Sequence, residues 1–295
     1  MTDRPTRHRS ATTEDGARRD RARPPLPEPL PHPVADSHCH LAIADGDWLE
    51  TGEAIARAAA VGVTRIVEIG CDRPGARWAV EAAQAHPALV AGVGLHPNEV
   101  PRLAAAGELD DALAEIERLA ADPVVRAVGE TGLDHFRTPD QAGRAVQVEA
   151  FAWHLELARR LDKTLVIHDR DAHRGILDVV DRVGAPRRWV MHCFSGDVDF
   201  ARACLDRGAY LSFAGTVTFK NAGGLRAALV VVPQDRLLVE TDAPYLTPEP
   251  WRGRPNASYL VPHTIRALAV VREEELGELC RAVDANTSAA FGGPW

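Results

Sequence analysis

The chain has 295 residues, 45% of them hydrophobic, which suits one large domain with a well-buried core. Its formal net charge is −8, so the molecule as a whole has no long-range attraction for polyanions. This balance argues against a protein that coats nucleic acid, but leaves room for an enzyme that holds one phosphodiester beside bound divalent cations.

No run of about 18 apolar residues occurs, and the first residues lack the apolar stretch of a signal peptide. We therefore expect a soluble, cytoplasmic protein that has no membrane partner and is a monomer. The cysteines are odd in number and scattered, which predicts reduced core thiols rather than disulfides or a zinc knuckle; they are Cys39, Cys71, Cys193, Cys204 and Cys280.

Residues 1–33 combine clustered arginines with a proline-rich run at residues 24–31. This composition predicts a disordered Arg/Pro-rich N-terminal extension, because it offers little apolar surface to bury. A basic arm can touch nucleic acid, but a mistaken start codon or a dispensable solvated tail fits the pattern at least as well. We assign the extension no function.

From residue 34 onward, short β-branched runs alternate with longer stretches of helical spacing, which is typical of repeated βα units. Eight such runs are predicted as strands: 34–37, 63–69, 89–94, 124–129, 164–167, 189–191, 209–213 and 236–240. The pattern predicts a single (β/α)₈ TIM-barrel domain over residues 34–295. A doubly wound open sheet is the alternative, but the chain lacks the G-x-G-x-x-G and P-loop motifs common in that fold.

His38 and His40 lie two residues apart at the end of the first predicted strand, in D-S-H-C-H. Because side chains alternate along a strand, both imidazoles are expected on one face and Cys39 on the other. Two imidazoles at a strand end can hold one divalent ion, and the alternative is an ordinary polar loop.

Four more polar residues follow apolar runs, namely Glu130, His168, His192 and Asp242. Each alone has an ordinary interpretation: a surface or helix-capping acid, a structural histidine, or an aspartate that caps a turn. With the histidine pair, however, they occupy the carboxyl ends of the first, fourth, fifth, sixth and eighth strands, which a barrel brings to one face. A nitrogen and oxygen donor set without thiolates predicts a site for zinc, manganese or magnesium.

The same residues carry a resemblance to the TatD family of metal-dependent hydrolases, within the wider amidohydrolase-like group. The motifs occur in the family's order: D-S-H-C-H-L, V-G-L-H-P, G-E-T-G-L-D, H-D-R-D-A-H, H-C-F-S-G and E-T-D-A-P-Y-L. The resemblance spans about residues 34–292 and includes R-G-R-P-N at 252–256 and the terminal Asn286-Thr287. The chain departs from it at Ala42, where an acid is common, and at His135-Phe136, where tyrosine usually comes first.

The resemblance implies that His38, His40 and Asp242 hold one ion, that His168 and His192 hold a second, and that Glu130 bridges both. Two ions in this arrangement would make a water acidic enough to attack and would polarise a phosphoryl oxygen. Asp242 is the candidate to orient that water and accept its proton.

Three residues are candidate substrate contacts. His96, in G-L-H-P, is a candidate for the phosphate or the leaving oxygen, or else a rim histidine packed on Pro97. Arg170 pairs with either a phosphate or a neighbouring aspartate, Asp171 or Asp134. Asn256, on the last loop, is the third candidate.

Three functions are compatible with these residues. The first is a metal-dependent deoxyribonuclease that trims 3′ ends of single-stranded DNA, since an acidic surface disfavours a grip on long duplex. The second keeps the site but hydrolyses an amide or ester, for example as an aminoacyl-tRNA deacylase. The third is a non-catalytic role in protein quality control or export, which the intact ligand set disfavours.

Overall fold

The computed structural model describes residues 4–12 and 16–295. Eight parallel strands in this part of the chain follow one another in chain order around a barrel. They are β1 (Val34–Cys39), β2 (Val63–Gly70), β3 (Leu89–Val93), β4 (Val125–Asp134), β5 (Thr164–Arg170), β6 (Trp189–Met191), β7 (Tyr210–Phe213) and β8 (Leu237–Val239). The predicted TIM barrel and its eight strands are confirmed. β1, β4 and β5 continue beyond their predicted ends, to Cys39, Asp134 and Arg170.

The barrel closes where the segment after β8 meets β1. The Asp242 N–H donates to the His38 carbonyl at 2.9 Å, and the His40 N–H donates to the Ala243 carbonyl at 2.8 Å. The hydrogen bonds that close the barrel therefore also position His38, His40 and Asp242 beside one another.

Helices cover the outside of the barrel and alternate with its strands. They are α1 (Thr51–Ala60), α2 (Arg73–Ala85), α3 (Val100–Ala106), α4 (Leu109–Ala120), α5 (Gln141–Arg160), α6 (His173–Val183), α7 (Val198–Leu205), α8 (Gly223–Val231), α9 (Val261–Arg272) and α10 (Leu276–Ala290). Asp72, Asp140 and Asp197 begin α2, α5 and α7, since each carboxylate accepts a backbone N–H three residues further on. Such caps satisfy amides that the first helical turn leaves unpaired.

The apolar core has two layers. The larger layer lies between the strands and the helices. The smaller one fills the barrel itself with side chains such as Val67, Val166 and Leu238, and the end of the chain packs against it at Ala290 and Phe291. The interior of the barrel is therefore filled with apolar side chains toward the amino ends of the strands.

A bulge in β4 decides where Glu130 points. Ala127 faces the barrel interior and Val128 the outer layer, so unbroken alternation would send Glu130 outward. The register with β5 shifts between Val128 and Thr131, and this shift turns Glu130 toward the interior. Beyond the bulge, the backbone of β4 lies so close to that of β5 that position 132 requires glycine. Its φ is +142°, and a Cβ there would lie 2.0 Å from the His168 carbonyl oxygen.

The predicted disordered extension covers residues 1–33, of which 1–3 and 13–15 lie outside the described residues, and parts of the remaining segment contact the barrel. The strand Arg7–His8 pairs in parallel with Ile43–Ala44. Further along, the Pro24 carbonyl accepts from the Tyr259 hydroxyl at 2.8 Å, and the Leu30 N–H donates to the Val61 carbonyl at 3.0 Å. The polar backbone of the segment finds partners on the barrel, which its composition alone did not indicate.

Among the described residues, no helix is both long and apolar enough to cross a membrane. The five cysteines are free thiols, and all except the partly buried Cys193 are buried. This agrees with the expectation of reduced core residues.

Candidate metal centre

One group of donors comes from the two sides of the barrel closure. The Nε2 atoms of His38 and His40 lie 3.2 Å apart, on one face of the strand end as its alternation predicts, while Cys39 packs in the outer core. The Oδ1 atom of Asp242 lies 3.3 Å from Nε2 of His40 and 3.9 Å from Nε2 of His38. The three residues form one compact donor group.

These spacings fit a bound metal. Ligand atoms about 2.0–2.2 Å from a tetrahedral ion lie about 3.4 Å from one another. The observed separations of 3.2, 3.3 and 3.9 Å bracket that value. The donor set of imidazole nitrogens and carboxylate oxygens also matches what zinc, manganese and magnesium accept.

Glu130 lies at the centre of the site, buried, between this group and a second set of histidines. Its Oε2 atom faces the first group, 3.5 Å from Nε2 of His38 and 3.8 Å from Nε2 of His40. Its Oε1 atom faces the second set: Nδ1 of His168 at 2.6 Å, Nε2 of His192 at 2.8 Å and Nε2 of His96 at 3.5 Å. A carboxylate with each oxygen directed at a different donor group has the geometry of a bridging ligand.

The electrostatics keep the carboxylates ionised. Burial acts to raise the pKa of Glu130, but the charge of His192 and the hydrogen bonds with His168 and His192 hold that pKa well below its ordinary value. Burial likewise opposes ionisation of Asp242, and the hydrogen bond from His40 keeps the pKa of that carboxyl low. Burial and then the charge of His168 lower the pKa of His96 to about 3. An anionic carboxylate is the protonation state that binds a metal ion.

A second ring of polar groups orients the histidines. The Nδ1 atom of His192 lies 3.2 Å from Oε1 of the fully buried Glu240, which also accepts the Cys193 N–H at 2.8 Å. The Nδ1 atom of His40 lies 2.8 Å from the Ile69 carbonyl oxygen. These contacts hold both rings so that their Nε2 atoms face the centre.

Asp36 fastens the loop that carries Asp242 to the strand that carries the histidines. Its carboxylate is fully buried and accepts both the N–H and the hydroxyl of Thr241, at 2.9 and 2.6 Å. Burial raises the pKa of Asp36 to about 7 against these hydrogen bonds. The contact spans the seam of the barrel and fixes the distance between the donors on its two sides.

The site opens into a cavity of about 640 Å³ at the carboxyl ends of the strands. Arginines line its mouth although the molecule is acidic overall: Arg7, Arg137 and Arg170. A second cavity, of about 810 Å³, lies at the opposite end of the barrel. There Arg126 and Lys163 donate to main-chain carbonyls, so these cations already have partners. The cavity beside Glu130 is therefore distinguished by the histidines and carboxylates that line it.

The three predicted substrate contacts fall in different places. His96 and Arg170 line the cavity, and the Arg170 guanidinium carbon lies 3.9 Å from the centre of the exposed Phe136 ring. Asn256 differs from the prediction: it is buried, and its amide donates to the Thr241 and Tyr245 carbonyls at 2.9 and 2.5 Å. This residue braces the loop beneath the site and has no donor left for substrate.

The sequence interpretation missed several residues of the site. Glu240 and Asp36 each stand two positions before a predicted ligand, and a strand's period of two was the available signal. Asp134, in G-L-D, accepts the Asn98 amide at 3.1 Å and lies 3.5 Å from Nε2 of His168. Arg7 carried no signal, because its segment resembled a solvated tail.

A buried carboxylate among histidines at the carboxyl face of a TIM barrel defines a metal-dependent hydrolase. Comparison with known proteins agrees. The sequence profile of the family described as TatD-related DNase matches residues 35–292. The chain therefore belongs to this family.

Individual relatives are similar over almost their whole length. An uncharacterized metal-dependent hydrolase TatD from Mycobacterium tuberculosis is 44% identical over 266 residues, which cover 89% of this chain and 99% of the relative. The 3′-5′ ssDNA/RNA exonuclease TatD of Salmonella typhimurium is 34% identical over 249 residues, 81% of this chain and 92% of the relative. The crystal structure of the TatD homologue YjjV from Escherichia coli K12 superposes with a TM-score of 0.78 at 28% identity, covering 88% of this chain and 98% of that one.

Proposed function

We propose that the protein is a deoxyribonuclease that removes nucleotides from the 3′ ends of single-stranded DNA, using two divalent ions bridged by Glu130. The observation that carries the proposal is the position of Glu130, whose two carboxylate oxygens face two separate histidine groups. The name of the Salmonella relative supports the single-stranded substrate and the polarity. Zinc, manganese and magnesium all suit these donors.

The proposed assignments of ligands follow the two groups. His38, His40 and Asp242 would hold one ion, His168 and His192 the other. Bound there, the ions supply Lewis-acid stabilisation of the phosphoryl oxygens and a water acidic enough to attack near neutral pH.

The residues of the chain have separate roles in this reaction. Asp242 is an anion with Oδ1 directed into the site, so it can orient the attacking water and accept its proton at that atom. His96 is neutral beside Glu130, and a neutral imidazole can donate its N–H to the phosphate or to the leaving oxygen. Arg170 lines the cavity with a guanidinium that can bind a phosphate oxygen.

The test is nucleotide release by metal-stripped protein from single-stranded DNA labelled at either its 3′ or its 5′ end. We expect activity to return with Mg²⁺, Mn²⁺ or Zn²⁺ and the 3′ label to be released first. Glu130→Ala should abolish cleavage, whereas Glu156→Ala, which removes an exposed carboxylate on α5, should not. Failure of every metal to restore cleavage would refute the proposal and direct the search to amide and ester substrates such as aminoacyl-tRNA. A monomeric state and a cytoplasmic location stay predictions.

A further inference from the structure

The segment at residues 4–12, here called the N-terminal arm, lies against the loop that follows β1. The Thr6 N–H donates to the Ala42 carbonyl at 2.8 Å, and the Arg9 N–H donates to the Ala44 carbonyl at 2.8 Å. These bonds frame the two-residue parallel pairing of the arm. The arm is therefore attached within a few residues of His40.

Arg9 attaches the arm to the opposite side of the barrel seam as well. Its Nη1 atom donates to Oδ2 of the buried Asp45 at 3.0 Å and to the Pro244 carbonyl at 2.8 Å. Its guanidinium carbon lies 4.8 Å from the centre of the Tyr245 ring. Pro244 and Tyr245 directly follow Asp242, so the arm bridges both loops that carry the first donor group.

This attachment brings Arg7 to the mouth of the cavity, where it lines the same space as His40, Glu130 and Asp242. Its only ion pair among the described residues is a long one, 3.8 Å from Nη1 to Oδ2 of Asp72, and its side chain remains 41% exposed. A cation held at a cavity mouth by backbone bonds, but only loosely paired itself, can accept an incoming anion. The arm lies outside the region matched by the family profile, which begins at residue 35.

We propose that the N-terminal arm is part of the substrate site and that the Arg7 guanidinium binds a backbone phosphate of the single strand held at the metal centre. The inference rests on the proposed nuclease function. The contact between Arg7 and the phosphate should raise the affinity for single-stranded DNA and make that affinity more salt-dependent, because each phosphate neutralised releases condensed counterions. The planar guanidinium suits a phosphate because it can donate two parallel N–H bonds to it.

The test compares Arg7→Ala with Arg4→Ala in the full chain. Arg4 belongs to the same arm and its loss changes the net charge equally, but it is absent from the cavity lining. Binding of a labelled single-stranded oligonucleotide is measured by anisotropy in a Glu130→Gln background over a range of salt concentrations. We expect Arg7→Ala to weaken binding about tenfold, near the lower end of the range for loss of one charge-assisted contact. The slope of log affinity against log salt should fall by about 0.7, while Arg4→Ala retains the parent values. Arg7→Lys should recover the slope, since it restores the charge.

A second readout needs no ligand. Hydrogen exchange of the intact protein should show protected amides at Thr6 and Arg9, whose N–H groups are hydrogen-bonded to the barrel. Unprotected amides, equal binding by the Arg7 and Arg4 variants, or no measurable binding by the parent would each overturn the inference. If wild type cleaves DNA but Arg7→Ala and Arg4→Ala bind the oligonucleotide equally well, the proposed role of the arm is refuted and the proposed nuclease function is not. If Arg7→Ala weakens binding but wild type cleaves with none of the metals, the nuclease function is refuted while the contact of Arg7 with the strand is supported.

Discussion

Glu240 offers a sharp test of how the site is built, because it touches the centre only through His192. In Glu240→Gln the side chain keeps its shape and can still accept the Cys193 N–H, which now lies 2.8 Å from Oε1. What changes is the bond to Nδ1 of His192, at 3.2 Å, which becomes neutral instead of charge-assisted. A charge-assisted bond contributes about 1.5–3 kcal/mol and a neutral one about 0.5–1.5, so about 1.4 kcal/mol should be lost.

A loss of about 1.4 kcal/mol corresponds to about tenfold weaker metal binding, within the range known for outer-shell partners of metal-bound histidines. The assay is competition with a chelator, combined with urea unfolding of the metal-free protein. The stability of that protein should change little, because the substitution also removes the desolvation cost of a fully buried charge. Glu156→Gln, on the exposed face of α5, is the matched control. Unaltered metal affinity in Glu240→Gln would refute the claim that this carboxylate orients His192.

Two further predictions concern the scaffold. Gly132→Ala should destabilise the protein by more than about 3 kcal/mol in urea unfolding, since its Cβ would meet the His168 carbonyl oxygen at 2.0 Å and positive φ adds strain. Gly224→Ala is the control, because a Cβ there has open space, and it should cost no stability. Equal losses of stability in the two variants would contradict the argument for the bulge. Burial lowers the pKa of His154 to about 4 in the folded protein, against about 6.5 when unfolded, so the unfolded chain binds more protons between these values and stability falls as pH falls from about 6.5 to 4. Relative to His154→Gln, wild type should lose up to about 3 kcal/mol over that window, and parallel pH curves for the two proteins would refute this.

The barrel was predictable because its strands are short, β-branched and separated by helical stretches of regular length. The histidine pair was predictable for a similar reason: a period of two is a local property, so D-S-H-C-H alone places His38 and His40 on one face and Cys39 on the other. Local periodicity was therefore sufficient to predict both the barrel and the shared orientation of His38 and His40.

The same periodicity gives a wrong orientation for Glu130, which counts as an outward position from Ala127. Only the bulge against β5 brings it inward, and a bulge depends on how two strands pair rather than on either sequence alone. Glycine at positions 129 and 132 is consistent with such a bulge but does not specify its register. The motif resemblance identified the residue, whereas its geometry needed the structure.

The contacts of the N-terminal segment and of Asn256 could not be predicted from the sequence for another reason. Proline-rich and arginine-rich sequence buries little apolar surface, so composition predicts disorder. Here, however, the arm finds carbonyl acceptors and Asp45 on loops already ordered by the barrel. Asn256 is a substrate candidate in the sequence because it lies on the last loop, but its amide instead donates to the Thr241 and Tyr245 carbonyls. Both outcomes depend on partners distant in the chain.

Those distant partners converge at the seam between β1 and the segment after β8. Asp36 holds Thr241, the backbone of His38 holds that of Asp242, and Arg9 bonds to both Asp45 and the Pro244 carbonyl. These bonds join protein groups on the two sides of the seam, so closure of the barrel contributes to the spacing of the first donor group. The structure thus joins fold and chemistry at a single seam, where the residues that close the barrel also set the distance between His38, His40 and Asp242.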